Sequence, residues 1–109
     1  MAAGLERGQV RLYRFDSPDK RRPVLVLTRG SAIQHLNKVT VAPISSTIRG
    51  VPSEVILDEE DGMKRPCSVN LYHMVSVPKR GLGARLAQIS PSRLRRVCAA
   101  ISFSLGCDE

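Results

Sequence analysis

The chain has 109 residues, with 17 Lys or Arg against 10 Asp or Glu, a formal net charge of +7. That length suits one domain, residues 1–109, which buries enough apolar surface to fold without disulfides or metal, and the cationic excess favours a polyanionic partner such as nucleic acid. No apolar run approaches the roughly 20 residues of a spanning helix, and the opening MAAGLERGQV lacks the basic and apolar regions of a signal peptide, so a membrane span is excluded and a cytoplasmic location is expected.

In chain order, Gly8 to Phe15 alternates apolar Val10 and Leu12 with Arg11 and Arg14, the period of a strand with one buried face. Asp16-Ser17-Pro18-Asp19 breaks it. Pro23 to Thr28 (PVLVLT) is apolar and β-branched, suiting a strand buried on both sides, and SAIQHLNK reads as a hydrophilic loop with His35 exposed. Val39–Ile44, Glu54–Leu57 and Ser68–Val77 repeat the strand pattern between Pro and Gly punctuation. Short strands at this spacing point to a mainly β fold, a small all-β barrel rather than βαβ units.

The acidic run Asp58, Glu59, Glu60, Asp61 with Gly62 behind it reads as a solvated loop between two strands. From Gly62 to Cys107 there are eight Lys or Arg and no acid, so the basic C-terminal half is the stronger functional lead. The tail changes period. Leu94, Val97, Cys98, Ile101 and Leu105 fall at helical spacing, with Ser90 as N-cap, Pro91 in the first turn and Gly106 at the C-terminal cap. This predicts a C-terminal amphipathic α-helix packed on the barrel, its other face carrying Arg93, Arg95 and Arg96.

Cys67, Cys98 and Cys107 are an odd number without CxxC spacing, which argues against a disulfide framework and a structural zinc site. Cys67 with His73 lacks a second ligand pair at zinc spacing, so neither metal nor cofactor is expected.

Five segments in order carry a resemblance: Gly8-Gln9-Val10, Arg22-Pro23-Val24-Leu25-Val26, Val41-Ala42-Pro43-Ile44-Ser45-Ser46, Ser68-Val69-Asn70-Leu71, and a helix ending Leu105-Gly106. They resemble the MazF/PemK (Kid) toxins across nearly the whole chain. The resemblance implies an SH3-like barrel of the CcdB/PemK kind, dimerised so that single-stranded RNA lies in a groove between subunits, and held in check by an acidic antitoxin. It implies metal-independent, sequence-selective cleavage by attack of the RNA 2′-hydroxyl on the adjacent phosphate. Carried over residue by residue, the catalytic arginine is Arg22 and the hydroxyl residue Ser45, with Ser46 next in register. Ser46, Arg49, His73, Lys79 and Arg80 are the substrate-binding candidates.

Those roles are chemically sensible. Attack by a 2′-hydroxyl builds negative charge on the phosphorane oxygens, which a guanidinium fork stabilises, whereas arginine holds its proton too firmly to be a ready base. Ser45 then orients a phosphate oxygen, since the nucleophile belongs to the RNA. The sequence departs from the family in the short segment Asp16–Lys20 before Arg21, in Cys67 where an acid is usual, and in Val75 where arginine is common. A gyrase-poisoning CcdB role is disfavoured because the chain has no Trp and ends Gly106-Cys107-Asp108-Glu109. A plain RNA-binding module is disfavoured by having just Tyr13, Tyr72, Phe15 and Phe103 for base stacking.

Overall fold

The computed structural model describes residues 4–15 and 21–109. Its strands are β1 (Gln9–Arg14), β2 (Arg21–Val26), β3 (Lys38–Ser45), β4 (Glu54–Leu57), β5 (Cys67–Asn70), β6 (Val75–Pro78) and β7 (Leu82–Gln88). Two helices, α1 (Gly30–Ile33) and α2 (Pro91–Ser104), complete the fold. The expected break at Asp16–Asp19 lies outside the described residues.

The strands form one antiparallel sheet in the order β4-β5-β3-β2-β1-β7, with β6 also paired to β3. β3 organises it. Along one flank β3 pairs with β2; along the other its first half, Lys38 to Val41, pairs with β6 and its end, Ile44-Ser45, pairs with β5. Two short strands therefore share one edge. The closed barrel expected from the sequence is not formed, because β4 and β7 have no ladder between them among the described residues. They nevertheless approach one another through the connection after β4: a Cβ at Gly62 would lie 3.2 Å from that of Ala87 in β7. Gly62 also has φ of 91°, a left-handed conformation that other residues adopt at a cost.

β2 explains why its sequence is apolar throughout. Leu25 faces a core with Val10, Ile44, Leu57, Val69 and Val97, whereas Val24 and Val26 face a second core with Val39, Val41, Val77 and Leu82. Burying a side chain of this size is worth about 1.5–3 kcal/mol, so the two-sided burial of β2 fixes its register firmly.

Other expectations change as well. Ser68–Val77 is two strands, since the Asn70 side chain accepts the Tyr72 N–H at 3.0 Å and sets a 3-10 turn over Leu71–His73. β7 was not expected; its LGARLAQ is mostly exposed and lacks a β-branched alternation. Gly30–Ile33 forms one helical turn within the expected loop, and His35 beyond it is exposed.

The C-terminal helix forms as its caps require. Ser90 Oγ accepts the Arg93 N–H at 3.2 Å, and Pro91 opens the first turn. At the other end Gly106, with φ of 74°, lets its own N–H reach the Phe103 carbonyl and the Cys107 N–H reach that of Ser102. Val97 and Ala100 are buried, with Leu94 and Ile101 packed against them. Cys98 and Leu105 were expected on that face but are exposed, Cys98 accepting a contact from Arg7 Nη2 at 3.0 Å.

Candidate active site

The antiparallel ladder between β2 and β3 sets Val24 opposite Pro43. Two residues further along each strand, at the same end and on the same side, stand Arg22 and Ser45. Arg22 lies opposite Tyr13 of β1 and is exposed. The ion pairs among the described residues all involve Arg93, so no carboxylate there engages the Arg22 guanidinium.

Ser45 closes β3 opposite Ser68 of β5. Its Oγ accepts the Thr47 N–H at 3.0 Å, and Ser68 Oγ donates to the Thr47 carbonyl at 2.8 Å. The two hydroxyls thus hold the turn after β3 from both sides. With an acceptor site already filled, the Ser45 hydroxyl keeps its proton available to donate to an anion. Ser46 beside it is exposed.

The loop that follows is held by a carboxylate. Glu54 accepts the N–H groups of Arg49 at 3.0 Å and Gly50 at 2.8 Å. Burial alone raises the Glu54 carboxyl pKa, but these donors, with Val51 N–H, outweigh it and hold the pKa below the ordinary value. The Arg49 backbone is fixed while its side chain is exposed.

Beside Ser45 lies a hollow of about 470 Å³, walled by Pro23, Ile44, Met63 and Leu86, with Cys67 at its base and Ser46, Lys64 and Arg65 at its margin. Burial, then Asp61 and Asp58, push the Cys67 thiol pKa up. The rim residues Met63 to Arg65 follow the acidic run, which is not the solvated loop expected. Asp61 is buried; it accepts the Asp58 N–H at 2.9 Å and takes Arg93 through Nε at 3.1 Å and Nη2 at 3.1 Å. Arg93 is therefore an anchor for this rim and not part of a solvated face. The hydrogen bond to Asp61 raises its pKa further, despite the opposing effect of burial.

Lys79, Arg80 and His73 lie away from this hollow. Pro78 pairs with Lys38 at the start of β3, so Lys79 and Arg80 lie near the far end of that strand from Ser45, a span of roughly 23 Å at about 3.3 Å per residue. Lys79 Nζ donates to the Ile33 carbonyl at 2.9 Å, fastening the end of α1, while Arg80 is exposed beside Lys38. His73 is exposed on the turn between β5 and β6 and is not among the residues lining the hollow beside Ser45. Met63, Lys64 and Arg65 were not singled out from the sequence; their signal was the acid-free basic half that begins at Gly62.

The family model for the PemK-like, MazF-like toxin of type II toxin-antitoxin system matches residues 6–105. Among curated proteins, the chain is 41% identical over 90 residues to the probable endoribonuclease MazF5 of Mycobacterium tuberculosis strain H37Rv, covering 82% of this chain and 83% of that one. It is 37% identical over 90 residues to endoribonuclease MazF3 of the same strain, covering 83% and 87%. Among solved structures it is similar to the Mycobacterium tuberculosis toxin MazF-mt6, with TM-score 0.82, 33% identity and coverage of 90% and 96%. An endoribonuclease in complex with its cognate antitoxin from a mycobacterial species gives TM-score 0.83 at 24% identity, covering 94% and 95%, a likeness of fold.

Proposed function

The chain belongs to the PemK-like, MazF-like toxins of type II toxin–antitoxin systems and is an endoribonuclease, and we propose that Arg22 and Ser45 cut single-stranded RNA at selected sites without a metal. The observation that carries this reading is the placement of Arg22 and Ser45 at adjoining strand ends, with Ser45 beside an open hollow.

The RNA 2′-hydroxyl forms the new bond to phosphorus and loses its proton, while the bond to the 5′-oxygen of the next nucleotide breaks and that oxygen takes up a proton. The products are a 2′,3′-cyclic phosphate and a 5′-hydroxyl, so no water is consumed. Arg22 donates to the phosphorane oxygens as charge builds there, and Ser45 holds a phosphate oxygen in line. Cut-site selection and inhibition of translation follow from contacts flanking the scissile phosphate, to which Ser46 and the exposed Arg49 and His73 contribute.

The active form is a homodimer with an isologous interface. Exposed Tyr72, Phe103 and Leu105, at 62%, 42% and 64% exposure, support it by leaving apolar surface uncovered. The cognate antitoxin is acidic and covers the basic groove, offsetting the +7 charge. A long RNA incubated with the protein in EDTA, with fragment ends typed, tests the chemistry: cyclic phosphate and 5′-hydroxyl ends are expected. Cleavage that disappears in EDTA, or 5′-phosphate ends, overturns it.

A further inference from the structure

The hollow beside Ser45 has two unlike parts. Its walls, Pro23, Ile44, Met63 and Leu86, come from β2, β3, the β4–β5 connection and β7, and none offers a side-chain hydrogen-bonding group. Its margin carries Lys64 and Arg65, both exposed, and no carboxylate lines it among the described residues. A phosphate gains little from such walls, whereas the flat face of a nucleobase does, and a volume of about 470 Å³ lies within the range of small-molecule sites.

We infer that this hollow takes one unstacked nucleobase flanking the scissile phosphate, and that Lys64 and Arg65 select a base with a keto edge, guanine or uracil, over adenine or cytosine. This rests on the endoribonuclease reading, because Ser45 beside the hollow places the base next to the cut. Single-stranded RNA is read by such splayed bases, held on one side chain's surface and hydrogen-bonded at their edges. Guanine O6 and uracil O4 accept hydrogen bonds where adenine and cytosine present an amine, so two donor-only side chains at the rim discriminate by chemistry. The half-buried Met63 supplies an adaptable apolar surface, and the Asp61–Arg93 pair directly before it keeps the rim in place.

The test is cleavage of an RNA pool with randomised positions, followed by sequencing of the cut ends. Wild type is expected to favour G or U about tenfold at one position adjoining the cut. Met63→Trp, which fills the hollow, should flatten that preference and leave the other positions alone. Arg65→Glu, at an exposed site where folding is undisturbed, should shift the preference towards A or C, because a carboxylate accepts from their amines. Unchanged preference in both variants overturns the inference, as does a loss of antitoxin inhibition in Met63→Trp with base preference intact, which would give the hollow to the antitoxin. Should wild type cut no RNA, the endoribonuclease reading fails separately. The pocket is then judged by the Met63 methyl NMR signal on adding the 5′-monophosphates of the four ribonucleosides: larger shifts with G and U support it, and equal or no shifts overturn it.

Discussion

The two ends of β3 are both rich in cations, yet they use them differently. At the start of the strand, Lys38, Lys79 and Arg80 line a shared surface, and Lys79 is occupied in fastening α1 through the Ile33 carbonyl. At the other end stand Arg22 and the Ser45 hydroxyl, to which we assign the chemistry, and Arg93 takes the structural part by pairing with buried Asp61. Counting charge alone would rank the two ends alike. What separates Arg22 from Lys79 and Arg93 is that the latter two already have partners, and an engaged donor is not available to a phosphate.

That contrast yields a graded set of expectations. Arg22→Ala should lower single-turnover cleavage by about 10²–10³, the scale of losing one preorganised oxyanion donor. Arg22→Lys should rescue little, because an ammonium lacks the planar fork. A wild-type rate in Arg22→Ala would remove the contrast altogether.

Arg93→Ala leaves the Asp61 carboxylate buried without its partner. A loss of about 3 kcal/mol in stability is expected, the low end for such pairs because the Arg93 side chain is 16% exposed. Urea unfolding checks it, and a midpoint within error of wild type would show that the rim is held otherwise.

Lys79→Met, at the far end, removes one charge-assisted hydrogen bond and should cost about 1.5 kcal/mol in the same assay while cleavage at saturating RNA stays at the wild-type rate. Arg80→Ala is expected to leave stability and rate alone and to lower the salt dependence of RNA binding by about one unit of slope or less. A Lys79→Met enzyme with normal stability but poor cleavage would make the far end part of the site.

The smallest effect concerns pH. Because the Glu54 carboxyl has a pKa below its ordinary value in the folded chain, it contributes stability that is present above that ordinary value and lost as pH falls through the folded one. The urea midpoint of wild type should therefore fall towards that of Glu54→Gln on acidification, and a constant difference between the two would contradict it.

Much of this could be read from residue order. β2 announced its two-sided burial through PVLVLT, and α2 its limits through Ser90, Pro91 and Gly106. β7 was hidden because Gly83, Ala84 and Arg85 lack the apolar alternation that marks a half-buried strand, its pairing with β1 being a tertiary fact. The break at Leu71–His73 depended on one side chain, Asn70, competing for a backbone donor. Arg22 and Ser45 were singled out through family resemblance, since an exposed arginine and a strand-end serine carry no signal alone. The hollow was not legible, because Pro23, Ile44, Met63 and Leu86 come from four separate parts of the chain and meet only in the tertiary fold, which no local pattern encodes.

The central claim is that Arg22 and Ser45 act together on one phosphate, and a double-mutant cycle tests it most directly. Single-turnover cleavage would be measured for wild type, Arg22→Ala, Ser45→Ala and the double variant, each verified as folded by circular dichroism. If the two side chains serve one transition state, both single substitutions should slow cleavage strongly and the double variant should be barely slower than Arg22→Ala, because groups acting as a unit are not additive. Losses that simply multiply, or a Ser45→Ala enzyme cutting at the wild-type rate, would contradict it.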